Sequence, residues 1–149
     1  GKTEPGYLKI LSDYVDESYR YDLPIIVHVY PRDADNNIIF EPEEIAWAVR
    51  CVSEIGPDLV KVPYCGDKAA HSQIVADCPL PMVSAGGPKT ATLEDALAMM
   101  RDVIDSGVRG ATIGRNIWGG GDNVTQAVKA FKAVIHDGAS AKEALKVMG

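Results

Sequence analysis

Asp58-Leu59-Val60-Lys61-Val62 decides how this chain folds. Leu59, Val60 and Val62 form a short apolar run rich in β-branched residues, the pattern of a strand buried on both faces. Just ahead, Gly56-Pro57 closes a helical stripe of Ile45, Ala48, Val49, Val52 and Ile55, which opens at Pro42, a residue tolerated in a first helical turn. Just behind, a weaker helical pattern over 69–76 leads to a second apolar run, Leu80 to Ser84, and then to the loop Ala85-Gly86-Gly87-Pro88-Lys89. Helix, strand, helix, strand is therefore the local grammar.

The same alternation extends in both directions. Upstream, Leu23-Pro24-Ile25-Ile26-Val27-His28-Val29-Tyr30 reads as a buried strand stopped by Pro31. It follows an amphipathic helix whose apolar positions are Tyr7, Leu8, Leu11, Tyr14, Val15 and Tyr19. Downstream, Thr92 with Asp95 makes a capping box for a helix carrying Leu93, Ala96, Leu97, Met100 and Ile104, which Gly107 stops. A fourth strand is expected over 110–113, followed directly by Gly114-Arg115-Asn116. Asp122 is placed to cap a helix carrying Val124, Ala127, Val128, Phe131, Val134 and Ile135, and Ser140 with Glu143 forms a capping box for a last helix.

Strands alternating with helices imply a parallel sheet covered by helices. The strand-end landmarks Tyr30, Lys61, Gly86 and Arg115 are separated by 31, 25 and 29 residues. That is close to the roughly 30 per unit expected where about 250 residues make eight β/α units. The expected fold is α/β, one domain over 1–149 made of about four units, half of a TIM-type barrel. A doubly wound open sheet shares the alternation, but its G-x-G-x-x-G after a first strand is missing.

The composition bounds the function. The chain has 149 residues, 46% hydrophobic and 24% charged, and a net charge of -6, with an isoelectric point near 5.0. An acidic surface argues against nucleic acid and anionic membranes, which need clustered positive charge. Cys51, Cys65 and Cys78 are odd in number and form no C-x-x-C pair, which suits a reducing, cytoplasmic setting. No run approaches the roughly 18 apolar residues of a membrane span. His28, His71 and His136 have neither HxxxH nor HExxH spacing, so no metal and no other cofactor is expected.

In a barrel of this kind the chemistry sits at the C-terminal strand ends and the loops after them. Lys61 interrupts an apolar strand, where a long cation is costly unless it faces a polar centre. Desolvation there disfavours the ammonium and frees an amine able to attack a carbonyl; a lysine snorkelling to the rim accounts for the pattern equally well. Gly86-Gly87 and Gly114-Arg115 suit a phosphate, since glycines let backbone N–H groups approach an anion and arginine adds a fork of donors. Tight turns with positive φ would also call for glycines. Tyr30 could move a proton and Arg32 could bind an acidic group, or both could pack at the rim. Pro88 breaks the G-K-[ST] word that a nucleotide P-loop requires. Trp47, Met99 and Met100 read as packing residues on helices, and Gly119-Gly120-Gly121 as a flexible loop.

Tyr30-Pro31-Arg32, Asp58-Leu59-Val60-Lys61, Ser84-Ala85-Gly86-Gly87-Pro88-Lys89-Thr90 and Gly114-Arg115-Asn116-Ile117, in this order and spacing, resemble the archaeal-type class I fructose-bisphosphate aldolases over their C-terminal half. The resemblance extends to two relatives in that superfamily, a 2-amino-3,7-dideoxyheptulosonate synthase and a thiolase acting on a phosphorylated diketone in autoinducer breakdown. It implies strands five to eight of the barrel, with Lys61 as the Schiff-base lysine on strand six and Tyr30 as the proton-transferring tyrosine on strand five. It also implies that Gly86, Gly87, Gly114 and Arg115 bind a phosphate of a sugar substrate, most simply fructose 1,6-bisphosphate. Arg32 and His28 would complete the substrate site; His28 stands where some members carry an aromatic residue. The family's acidic residue on the first strand has no counterpart here. A half-barrel leaves two open edges and an exposed apolar interior. The expected partner is therefore a complementary N-terminal half-barrel, as a separate or cleaved chain, or failing that a second copy. A catalytically silent assembly subunit is the alternative of a different class.

Overall fold

Four short strands, β1 (Ile26–His28), β2 (Leu59–Val62), β3 (Met82–Ala85) and β4 (Gly110–Thr112), pair side by side in chain order and all in parallel. They are joined by helices: α1 (Glu4–Tyr19) precedes β1, α2 (Pro42–Ser53) links β1 to β2, α3 (Lys68–Asp77) links β2 to β3, and α4 (Leu93–Asp105) links β3 to β4. After β4 come a single turn, α5 (Arg115–Trp118), then α6 (Val124–His136) and α7 (Ala141–Lys146). This computed structural model describes residues 3–119 and 123–147. Parallel neighbours in sequential order, with no reversal, make a partial barrel; a doubly wound sheet reverses its order at a switch point.

Local chemistry sets the helix starts. Pro42 occupies the first turn of α2, where its missing N–H costs nothing. Asp67 caps α3 by accepting from the backbone N–H of Ala70 at 2.8 Å. Both expected capping boxes are formed, Thr92 with Asp95 on α4 and Ser140 with Glu143 on α7. Asp122 lies outside the described residues; Asn123 precedes α6 without a side-chain capping bond.

Side chains alternate across a strand, so each strand presents two different faces. One face is the core. Val60 and Val62 of β2 and Met82 of β3 meet Ile45 and Val49 of α2, Ile74 of α3, Leu97, Met100 and Val103 of α4, and Phe131 and Val134 of α6. Each such side chain contributes about 1.5–3 kcal/mol by leaving water. The other face carries Ile26 and His28 of β1, Leu59 and Lys61 of β2, and Val83 of β3, none of them fully buried.

Two expectations need correction. The strand over 23–30 shrinks to three residues, because β1 has a sheet neighbour on one side only among the described residues; Leu23 is 61% and Ile26 57% exposed. Trp47 is largely exposed rather than packed, because the buried stripe of α2 runs through Ile45, Val49 and Ser53 and position 47 falls on the opposite side. The segment after Pro31 folds back on itself, Arg32 bridging Ile38 in antiparallel fashion around Asp33, whose carboxylate accepts from the N–H groups of Asp35 and Asn37.

Candidate active site

Because the sheet is parallel, all four strands end on one rim, and the residues at and beyond those ends share it. Lys61 is the next-to-last residue of β2. Its strand neighbours Val60 and Val62 are sealed in the helix-side core, so the lysine stem leaves on the open face, half-buried. None of the ion pairs among the described residues involves it. Its register partners are His28 on β1 and Val83 on β3. Burial, and then the charge of Lys61, hold the His28 imidazole below its ordinary value.

Tyr30 follows two residues after His28, beyond the bond by which Val29 N–H donates to the Lys61 carbonyl at 2.8 Å. Half-buried, its phenol is raised above the usual tyrosine range by burial, against the opposing pull of the Arg115 and Arg32 charges. Two arginines from opposite ends of the sheet therefore act on one phenol. Arg32 is braced by donating to the Asn36 carbonyl at 2.6 Å. Arg115 donates to the Gly87 carbonyl at 3.1 Å and so joins the loop after β4 to the loop after β3.

The glycines earn their places differently. A Cβ on Gly86 would lie 2.9 Å from the Ile113 backbone Cα, so these two loops can meet only without a side chain there. Gly87 has φ +67°, the left-handed region open to glycine. Gly114 has φ -121°, and the obstacle to a side chain is the outer edge of the exposed Trp118 ring, which can move. A positive φ therefore explains Gly87 but neither Gly86 nor Gly114.

Asn116 organises the junction, a role that its place in a motif did not reveal. Buried on α5, it donates through Nδ2 to the carbonyls of Gly86 and Pro88, both at 3.0 Å, and accepts through Oδ1 from the Thr90 backbone N–H at 2.9 Å. A cavity of about 350 Å³ opens beside it, lined by Lys89, Thr90, Thr92 and Asn123 among others, and reaches neither Lys61 nor Tyr30. Past β2, Tyr64 stacks edge-on against His71 of α3, ring centroids 5.1 Å apart. Among the described residues no three His, Cys, Asp or Glu side chains gather to hold a metal ion, and no helix is long and apolar enough to cross a membrane.

Comparison with known proteins gives the family and the fold. The DeoC/LacD family of aldolases matches over residues 7–120. An uncharacterized aldolase of Saccharolobus solfataricus is 37% identical over 98% of this chain and 54% of its own length. A class 1 fructose-bisphosphate aldolase of Thermoproteus tenax is 34% identical over 88% of this chain and 50% of its own. An archaeal fructose-1,6-bisphosphate aldolase, solved with its catalytic lysine covalently bound to the carbinolamine intermediate of its substrate, superimposes with a TM-score of 0.82 at 30% identity. That match covers 89% of this chain and 53% of the solved one. The chain thus spans about half the length of the curated relatives it matches.

Proposed function

Because the chain belongs to the DeoC/LacD family of aldolases, we propose that it supplies strands five to eight of a Schiff-base aldolase barrel, with Lys61 as the nucleophile. The substrate is a phosphorylated ketose, fructose 1,6-bisphosphate in the first instance. The Lys61 amine adds to the ketone carbon, water leaves, and an iminium ion results. When the carbon–carbon bond breaks, its electron pair is taken up by the iminium, giving an enamine, while the departing fragment leaves as an aldehyde. Tyr30 takes the proton from the hydroxyl whose carbon becomes that aldehyde. Arg115 with the glycine loops holds a phosphate, so that the ketone carbon stays within reach of Nζ. Arg32 stands across the rim for the second acidic group of a bisphosphate.

One observation carries this reading: the strand alternation that seals Val60 and Val62 in the core turns Lys61 onto the open face, beside His28 and at the rim of the glycine loops. A complementary half-barrel, in the same or another polypeptide, would close that face and contribute the acidic residue of the first strand. The three cysteines, all free and half-buried, suit a reducing compartment.

Borohydride reduction in the presence of dihydroxyacetone phosphate, followed by peptide mass analysis, tests the assignment. An adduct on Lys61, abolished by Lys61→Arg, is expected. Metal-chelator treatment should leave the reaction rate unchanged. Failure of Lys61 to carry the adduct while the complementary half is present would overturn the reading.

A further inference from the structure

We propose that His28 is a catalytic residue for the first covalent steps, moving protons between Lys61 Nζ and the carbonyl oxygen as the carbinolamine forms and loses water. The inference deepens the Schiff-base reading above and rests on it.

The placement is geometric. His28 and Lys61 are Cα partners in the parallel β1–β2 ladder, a separation of about 4.8 Å. Partners in a ladder project to the same face, here the open one, since Val29 and Val60 point into the helix-side core. An imidazole therefore stands alongside the lysine stem, at the end of β1, with Tyr30 two residues beyond it. Tyr30 feels the charges of Arg115 and Arg32, and in the reading above it is occupied with the hydroxyl of the departing fragment. The charged group acting on His28 is Lys61 from β2, and Tyr30 is the next titratable group along its own segment, past the end of β1. No further strand flanks β1 among the described residues, and the helices lie across the sheet. The imidazole, lowered by burial and by Lys61, stays neutral at pH 7 and can accept a proton.

The chemistry needs such a group. Attack by neutral Nζ gives an alkoxide and a cationic nitrogen bearing two hydrogens. His28 removes one of those protons and returns it to the alkoxide oxygen, forming the neutral carbinolamine. A second proton, drawn from solvent through the half-exposed edge of the sheet, passes from imidazolium to the hydroxyl. That hydroxyl leaves as water while the nitrogen lone pair closes the C=N bond. One amine, one ketone and one proton become one iminium and one water, with the imidazole returned to its starting state.

Rapid-quench borohydride trapping with dihydroxyacetone phosphate, in the protein's native assembly and across pH 5 to 9, tests this. His28→Phe and His28→Gln should trap about 10²-fold more slowly and lose the wild-type dependence on a group titrating below 6.5. The same Lys61 adduct should still accumulate at long times, and added imidazole should speed trapping in His28→Gly. Variants that trap at the wild-type rate with an unchanged pH profile, or slow variants that imidazole does not rescue, would overturn the role of His28 alone. A wild type that forms no Lys61 adduct would overturn the Schiff-base reading and this inference with it.

Discussion

His71 sits fully buried on α3 with neither ring nitrogen hydrogen-bonded among the described residues, and burial lowers it to about 4 from an ordinary 6.5. The unfolded chain therefore binds a proton on this residue over a range in which the native protein does not. Stability is undiminished above pH 6.5 and falls as the pH drops towards 4, by roughly 3 kcal/mol in all. Urea midpoints from pH 7 to 4 should show this slope, and His71→Phe should flatten it; an equal slope in both proteins would dismiss the histidine as its source. Among single residues, the placement of Lys61 on the open face is legible because a cation between two buried valines breaks the strand pattern; its chemistry is not. His28 as its neighbour was not, since pairing register is a long-range property that no local spacing encodes. The importance of Asn116 was hidden for the same reason: its partners lie 26 to 30 positions earlier in the chain.

At the scale of elements, the junction between the loops after β3 and β4 is what aims Arg115. Asn116→Ala would strand the carbonyls of Gly86 and Pro88 and the N–H of Thr90, a cost of about 1–3 kcal/mol. Phosphate-dependent substrate affinity should weaken with it, measured as a rise in KM larger than any change in kcat. Gly86→Ala would force its loop off Ile113, destabilising by about 1–3 kcal/mol. Gly114→Ala should be milder because the Trp118 ring can swing away; equal thermal losses for the two would contradict the steric account. Helix starts were readable where a capping box wrote two complementary residues three apart, as at Thr92 and Ser140. The turn α5 has four residues, too few for any periodicity to register. The apolar run over 23–30 is longer than the strand because it marks what a neighbour could cover, whereas only the segment bonded to β2 is strand.

For the whole molecule, a sheet with its core on one face and Ile26, Leu59 and Lys61 on the other is a surface awaiting closure. Four units at a spacing near thirty sufficed to indicate half a barrel, and the sequential strand order agrees. In the proposed reading the cover for the open face comes from outside these four units, and no spacing within them encodes it. Native mass spectrometry of the purified assembly should find four further β/α units, in a longer chain or a companion one. A lone 16.0 kDa species with full activity would contradict it. The most direct test of the central claim is a crystal of that assembly soaked with dihydroxyacetone phosphate. Continuous density from Lys61 Nζ to the ketone carbon, with the phosphate against Gly86, Gly87 and Arg115, is the predicted result; a ligand bonded to another lysine, or held without a covalent link while turnover proceeds, would contradict it.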